Sequence, residues 1–219
     1  KNFLQRFTEE HQNDHVVVVA QTGMGKTEAG LLWLGASKGF FTLPLRVSIN
    51  AMYSRITDEE NVGFSKRAPK LGEVATGLLH STSLDYLYSL YDNEEANDVE
   101  LEKVHSHSKE FANKLIITTI DQILKFPFYY LGFEKEFATM ATAKVIIDEL
   151  QAYDPKIAAL LIRALKLIDE IGGSFMIMTA TLPDFYLQTL KRELGDSRIP
   201  LVYKEFIDDS VKRHHIRLR

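Results

Sequence analysis

Cysteine is absent from these 219 residues, which excludes disulfides, thiolate nucleophiles and sulfur-ligated metals or clusters. Net positive charge is absent too. Against 26 lysines and arginines stand 30 acids, leaving −4, so no chain-wide field exists to wrap a nucleic acid, and any such contact must be confined to a groove. No apolar run approaches the roughly 18 residues of a membrane-spanning helix. The first residues, Lys1-Asn2-Phe3-Leu4, lack the long apolar core of a secretion signal. A soluble, cytoplasmic protein with no membrane partner is the expectation. There is no internal repeat and no low-complexity segment. What is present, 45% hydrophobic and 26% charged residues, is the composition of an ordinary globular protein, and the length suffices for one substantial core.

The chain is organised around residues 16–27. Four consecutive valines, Val16 to Val19, make the short apolar run of a buried parallel strand and lead into Ala20-Gln21-Thr22-Gly23-Met24-Gly25-Lys26-Thr27. Strand, glycine-bearing loop and helix follow in the order of a phosphate-binding loop. Gly23 and Gly25 let successive N–H groups turn inward, the helix aims its positive end at the same spot, Lys26 adds a point charge, and the Thr27 hydroxyl reaches magnesium. Ala20 stands where the strict pattern has glycine, so seven of the eight positions match.

Around this loop, strands and helices alternate. Residues 1–13 read as an amphipathic helix with Phe3, Leu4 and Phe7 on one face. Gln5 within it either folds back onto a nucleotide, its amide pairing with both the donor and the acceptor edge of adenine, or is a solvated helix residue. Phe40 to Leu43 is a strand; Arg46 and Asn50 follow at its carboxyl end, as ligand contacts or as helix caps. Residues 58–70 read as a surface loop, and Asp92 to Glu102 as a solvated acidic one. His105 and His107 lack a third metal ligand nearby. Leu115 to Thr119 is a buried strand, with Thr119 and Asp121 placed either to meet a backbone phosphate or to open a helix. Lys144 to Ile147 runs into Asp148-Glu149-Leu150-Gln151. Asp154 as cap, Pro155 in the first turn and Gly172-Gly173 as stop delimit a helix with Ile157, Leu160, Leu161, Ala164, Leu165, Ile168 and Ile171 as its apolar positions. Phe175 to Met178 ends in Thr179-Ala180-Thr181, and a helix from Asp184 and a strand from Ile199 to Tyr203 complete the series. This alternation predicts an α/β fold with a mostly parallel sheet and helices on both faces.

The singled-out residues all fall at strand carboxyl ends, one edge of such a sheet. Two acids there, Asp148 and Glu149, suit nucleotide hydrolysis, which needs magnesium on the phosphates and a water held in line: Asp148 for the metal, Glu149 to orient the water and take its proton. Thr179 and Thr181 either sense the γ-phosphate or cap the next helix.

Gln5, Ala20 to Thr27, Leu43 to Arg46, Thr118 to Gln122, Asp148 to Gln151 and Thr179 to Thr181 resemble, in order, the Q-motif and first-domain motifs of superfamily-two helicases, and so imply a RecA-like P-loop fold. Thr27-Glu28-Ala29, Leu79-His80, Thr119 to Gln122 and Asp148 to Asp154 are similar to the CRISPR-associated helicase-nuclease of type I systems. That resemblance implies ATP and magnesium as cofactors, translocation on single-stranded DNA, coupling through Gln151, recruitment by a crRNA-guided surveillance complex, and a partner HD nuclease domain or subunit. No His-Asp dipeptide of such a nuclease occurs here, and Gln21 stands where many relatives have proline. The expectation is one motor half, residues 1–210, with 211–219 starting a linker to a second RecA-like domain. No arginine of this domain is placed by sequence to reach the γ-phosphate, so turnover by this chain alone is expected to be very slow. Alternatives are an RNA helicase half, which comparing stimulation by single-stranded DNA and RNA separates, and a nucleotide-dependent binding module without appreciable turnover.

Overall fold

A computed structural model describes residues 1–58, 75–91, 98–125, 127 and 133–207. Seven strands, β1 (His15–Ala20), β2 (Gly39–Thr42), β3 (Thr76–Leu79), β4 (Leu115–Thr118), β5 (Lys144–Asp148), β6 (Ser174–Thr179) and β7 (Leu201–Phe206), form one sheet in the order β3-β4-β2-β5-β6-β1-β7. Every pairing is parallel, so all carboxyl ends share one edge. The strands read as unbroken apolar runs because both faces are buried. Alternate residues nonetheless serve different cores: Val17, Phe40, Ile116, Val145 and Phe175 belong to one, and Val16, Phe41, Ile117, Ile146 and Met176 to the other.

The helices covering these faces, among the described residues, are α1 (Phe3–Glu10), α2 (Lys26–Leu34), α3 (Arg46–Thr57), α4 (Ser83–Tyr91), α5 (Asp98–Lys109), α6 (Ile120–Ile123), α7 (Glu134–Met140), α8 (Pro155–Ile171) and α9 (Asp184–Glu193). The ends of α8 are where local chemistry puts them. Asp154 accepts from the Lys156 N–H, Pro155 occupies the first turn, and Gly172 closes the helix in a left-handed conformation at φ 106°. A β-carbon at Gly172 would also stand 3.1 Å from the Ala141 carbonyl oxygen. Gly172→Ala is therefore expected to cost about 1–2 kcal/mol in urea denaturation.

Three expectations from sequence need correction. Phe3 is 82% exposed, and α1 seals the core with Leu4 and Phe7 instead, two positions three apart on one helix face. The acidic stretch is not a loop throughout: α5 begins at Asp98 and buries Leu101 and Val104, two apolar positions at helical spacing. Ile157 and Leu160 are 36% and 40% exposed, while Ala158 and Ile162 of α8 take the buried positions. Helix α7 went unanticipated. The described part of the expected 58–70 loop is Asp58 alone, and residues 92–97 and 211–219 likewise lie outside the described residues.

A charged residue, Asp169, sits on the buried side of α8 for a polar reason. Its carboxylate meets His15 Nε2 at 2.9 Å and accepts the Arg198 and Ile199 N–H groups at 2.8 and 3.0 Å. His15 Nδ1 accepts the Phe175 N–H at 3.3 Å, so Nε2 carries the proton. Burial pushes the His15 pKa down, and the neutral imidazole with the Asp169 carboxylate locks the amino edge of the sheet, opposite the functional one.

Candidate functional site

Between β1 and α2 the chain turns through Gly23 and Gly25, both left-handed at φ 87° and 77°. Gly25 is confined as well, since a β-carbon there would lie 2.8 Å from Gln5 Nε2. Gly25 caps α2 without any side-chain hydrogen bond, which leaves the first helical N–H groups turned toward the loop. A cavity of about 530 Å³ opens there, lined by Gln5, Thr22, Gly23, Met24, Lys26 and Thr27 among others. Gln21, at the strand end, is not part of that lining. Helix α1 is pinned over the loop by Asn2, whose Nδ2 donates to the Met24 carbonyl at 2.7 Å. Asn2 and Gln5 also form a reciprocal capping box, with Gln5 Oε1 accepting the Asn2 N–H at 3.1 Å. The Gln5 amide oxygen is thus engaged within α1, and Nε2 faces the loop.

Because β6 lies between β1 and β5, the loop after β1 faces the acids at the end of β5 across a single strand. Lys26 Nζ donates to Glu149 Oε1 at 2.6 Å. Glu149 Oε2 accepts from Gln151 Nε2 at 2.5 Å and from the Ala180 N–H at 3.2 Å, with Thr179 Oγ1 at 3.1 Å. Burial alone would raise its pKa, but Lys26, Gln151 and Ala180 hold the carboxyl below the ordinary value. Glu149 adopts a left-handed backbone at φ 56°, one of two non-glycine residues to do so among those described. Strain of this kind persists where surrounding contacts over-determine it, and here four polar groups do.

Asp148 stands in contrast. Its Oδ1 is buried with no hydrogen-bond partner among the described residues. Burial first, and then the neighbouring Glu149 charge, push its pKa up to about 6 against the pull of Lys26. An orphaned buried carboxylate oxygen next to a lysine and two strands from a threonine hydroxyl is a donor set short of a cation. Magnesium suits it, because that ion takes one or two protein oxygens and fills the rest of its shell with water and phosphate.

The remaining sequence candidates divide between two places. Gln151, Thr179 and Thr181 join the Glu149 cluster; Thr179 Oγ1 also contacts Gln151 Oε1 and the Thr181 carbonyl, and Thr181 returns its N–H at 3.2 Å. Neither threonine caps α9, whose cap position is Pro183. Arg46, Asn50, Thr119 and Asp121 lie instead at the ends of β2 and β4. There Asn50 Oδ1 accepts from His80 Nε2 at 2.7 Å, and burial, then Arg46, lower the His80 pKa. Asp121 accepts from Gln122 at 2.7 Å, and Thr119 occupies the cap of α6 without a side-chain bond. His105 is bonded through Nδ1 to Ser83 Oγ at 3.1 Å.

Sequence reasoning missed Asn2, for which the Asn-x-x-Gln capping signature was available, and Arg55, for which no local signal exists. Arg55 lines the same cavity, its Nη1 3.4 Å from Thr27 Oγ1 and its Nη2 paired with Glu28. An arginine of this domain thus lies beside the glycine-bearing loop.

Comparison with known proteins adds to this geometry. Residues 4–189 match the model of the DEAD/DEAH box helicase family. The CRISPR-associated nuclease/helicase Cas3 of Methanothermobacter thermautotrophicus is 32% identical over 173 residues, which cover 78% of this chain and 20% of that protein. The CRISPR-associated endonuclease/helicase Cas3 of Escherichia coli is 28% identical over 187 residues, 76% of this chain and 20% of that one. The chain thus spans about a fifth of the length of these curated relatives. The crystal structure of T. fusca Cas3-ATP superposes with a TM-score of 0.67 at 22% identity, over 90% of this chain and 22% of that one, and has the same RecA-like fold. With the family model covering most of the described sheet, from α1 into α9, this chain belongs to the DEAD/DEAH box helicases.

Proposed function

We propose that this chain is the ATP-binding motor half of an ATP-dependent translocase or helicase for single-stranded DNA, acting in CRISPR interference against foreign DNA. The observation that carries the nucleotide reading is the pairing of Lys26 with Glu149 across β6, beside the unpartnered Asp148 oxygen. The loop's cation is paired internally with Glu149 at 2.6 Å, and an anionic polyphosphate can take the place of that carboxylate. Phosphate drawn onto Lys26 and the α2 N–H groups frees Glu149 Oε1, which then accepts from a water. Gln151, Thr179 and the Ala180 N–H keep the other oxygen fixed. Thr27 and Asp148 are the side chains that would hold magnesium, whose charge offsets that developing on the phosphates.

The Cas3 relatives support the CRISPR assignment, and their greater length supports a motor completed elsewhere: residues 1–210 as one half, 211–219 leading to a second RecA-like domain. A crRNA-guided surveillance complex and an HD nuclease are the partners proposed with it. Arg46, Asn50, Thr119 and Asp121, at one edge of the sheet, are the proposed groove for the DNA strand, with Gln151, Thr179 and Thr181 linking it to the phosphates. Calorimetric titration with MgATP tests the nucleotide reading. Wild type is expected to bind, and Lys26→Ala to bind roughly thirtyfold to a hundredfold more weakly, because removing the lysine also leaves Glu149 facing the phosphates. Equal binding would remove the assignment.

A further inference from the structure

We propose that Arg55 is a phosphate ligand of the bound nucleotide, held by Glu28 until the polyphosphate arrives. The inference rests on the nucleotide reading above and adds a residue to it. Arg55 lies in the last turn of α3, outside the loop motif, yet its guanidinium reaches the cavity at two points, Thr27 Oγ1 at 3.4 Å and the Glu28 carboxylate. Thr27 is 8% exposed and forms part of the cavity wall. A guanidinium carries five N–H donors in a planar fork suited to phosphate oxygens.

Glu28 is a weak holder. Its Oε2 is buried without a hydrogen-bond partner among the described residues, so the acid satisfies Arg55 with one oxygen while the other is stranded. The Arg55 and Glu28 side chains are 47% and 33% exposed, and ion pairs so placed contribute little to folding. An incoming polyphosphate offers several oxygens and wins that competition. The same arrangement governs the other cation of the cavity, with Lys26 held by Glu149 as Arg55 is held by Glu28. Thr27 stands next to both cations. Moving Arg55 from Thr27 onto the phosphates also releases the threonine hydroxyl, which the proposed metal site requires.

A competing account gives Arg55 only the task of screening Glu28 from the phosphates, and a double-variant cycle separates the two. Wild type, Arg55→Ala, Glu28→Gln and the double variant are titrated calorimetrically with MgADP and with a magnesium-bound non-hydrolysable ATP analogue, after thermal unfolding confirms that each is folded. Arg55→Ala is expected to weaken both ligands about tenfold to a hundredfold. Glu28→Gln should tighten them a few-fold, and the double variant should remain as weak as Arg55→Ala. Wild-type affinity in Arg55→Ala overturns the inference, as does restoration of wild-type affinity in the double variant, which would reduce Arg55 to a screen. Nucleotide binding by wild type that Lys26→Ala weakens but Arg55→Ala leaves untouched defeats this inference alone. Absence of binding by wild type defeats the nucleotide reading with it.

Discussion

Glutamine in place of Glu149 is expected to slow ATP turnover by roughly a hundredfold to ten-thousandfold, the range for loss of a positioned general base, while nucleotide affinity stays within a few-fold of wild type. The substitution keeps the shape of the side chain and one acceptor oxygen for Lys26, 2.6 Å away in the wild type. The backbone at φ 56° carries no new penalty, since glutamine and glutamate are strained alike there. What disappears is the charge that Lys26, Gln151 and the Ala180 N–H keep ionised. Loss of that charge also removes a competitor for Lys26, which is why affinity should hold or tighten. The measurement is single-turnover hydrolysis beside calorimetric binding, in protein carrying the second motor domain. Undiminished hydrolysis would show that the acid pair had been misassigned. A parallel fall in affinity would point to a collapsed cluster instead.

Asp148→Asn should stabilise the nucleotide-free protein by about 3 kcal/mol at pH 7.5, and by only about 0.5 kcal/mol at pH 4. In the unfolded chain this carboxyl titrates near 3.8, and in the folded protein at about 6. Between those values the folded state binds more protons than the unfolded one, so wild type loses stability as pH rises through the window. Two units at about 1.4 kcal/mol each give the magnitude. Asparagine never ionises and escapes the loss. Asp169, whose value is lowered at the far edge of the sheet, contributes the opposite slope to both proteins and drops out of the difference. Urea denaturation at the two pH values, in EDTA and without nucleotide, checks it. A difference independent of pH would mean that water reaches the carboxylate. An acid retained at this stability cost fits a group kept for a cation.

Local chemistry made much of the fold legible. The Val16 to Val19 run, the Gly23 and Gly25 turn and the Lys26-Thr27 start of a helix announced the phosphate loop; Asp154, Pro155 and Gly172 bounded α8 to the residue. Each of these signals acts over one to four positions, through a cap, a dihedral or a period, and such effects are written in adjacent letters. Where a signal spanned more than one turn it misled: Ile157 and Leu160 follow the apolar period of α8, yet packing against the sheet selected Ala158 and Ile162.

By itself, then, the sequence offered candidates for phosphate chemistry and put them at strand ends. Only the tertiary structure decided which of them meet. Lys26 and Glu149 are 123 positions apart and touch because the strand order seats β6 between β1 and β5. Arg55 reaches Thr27 because the last turn of α3 lies within a side chain's length of the start of α2. The stranding of one Asp148 oxygen follows from how closely the strands and their covering helices exclude water. Strand order, helix docking and solvent exclusion are settled by burying both faces of the sheet at once. That sum runs over the whole core, and no stretch of a few residues contains it.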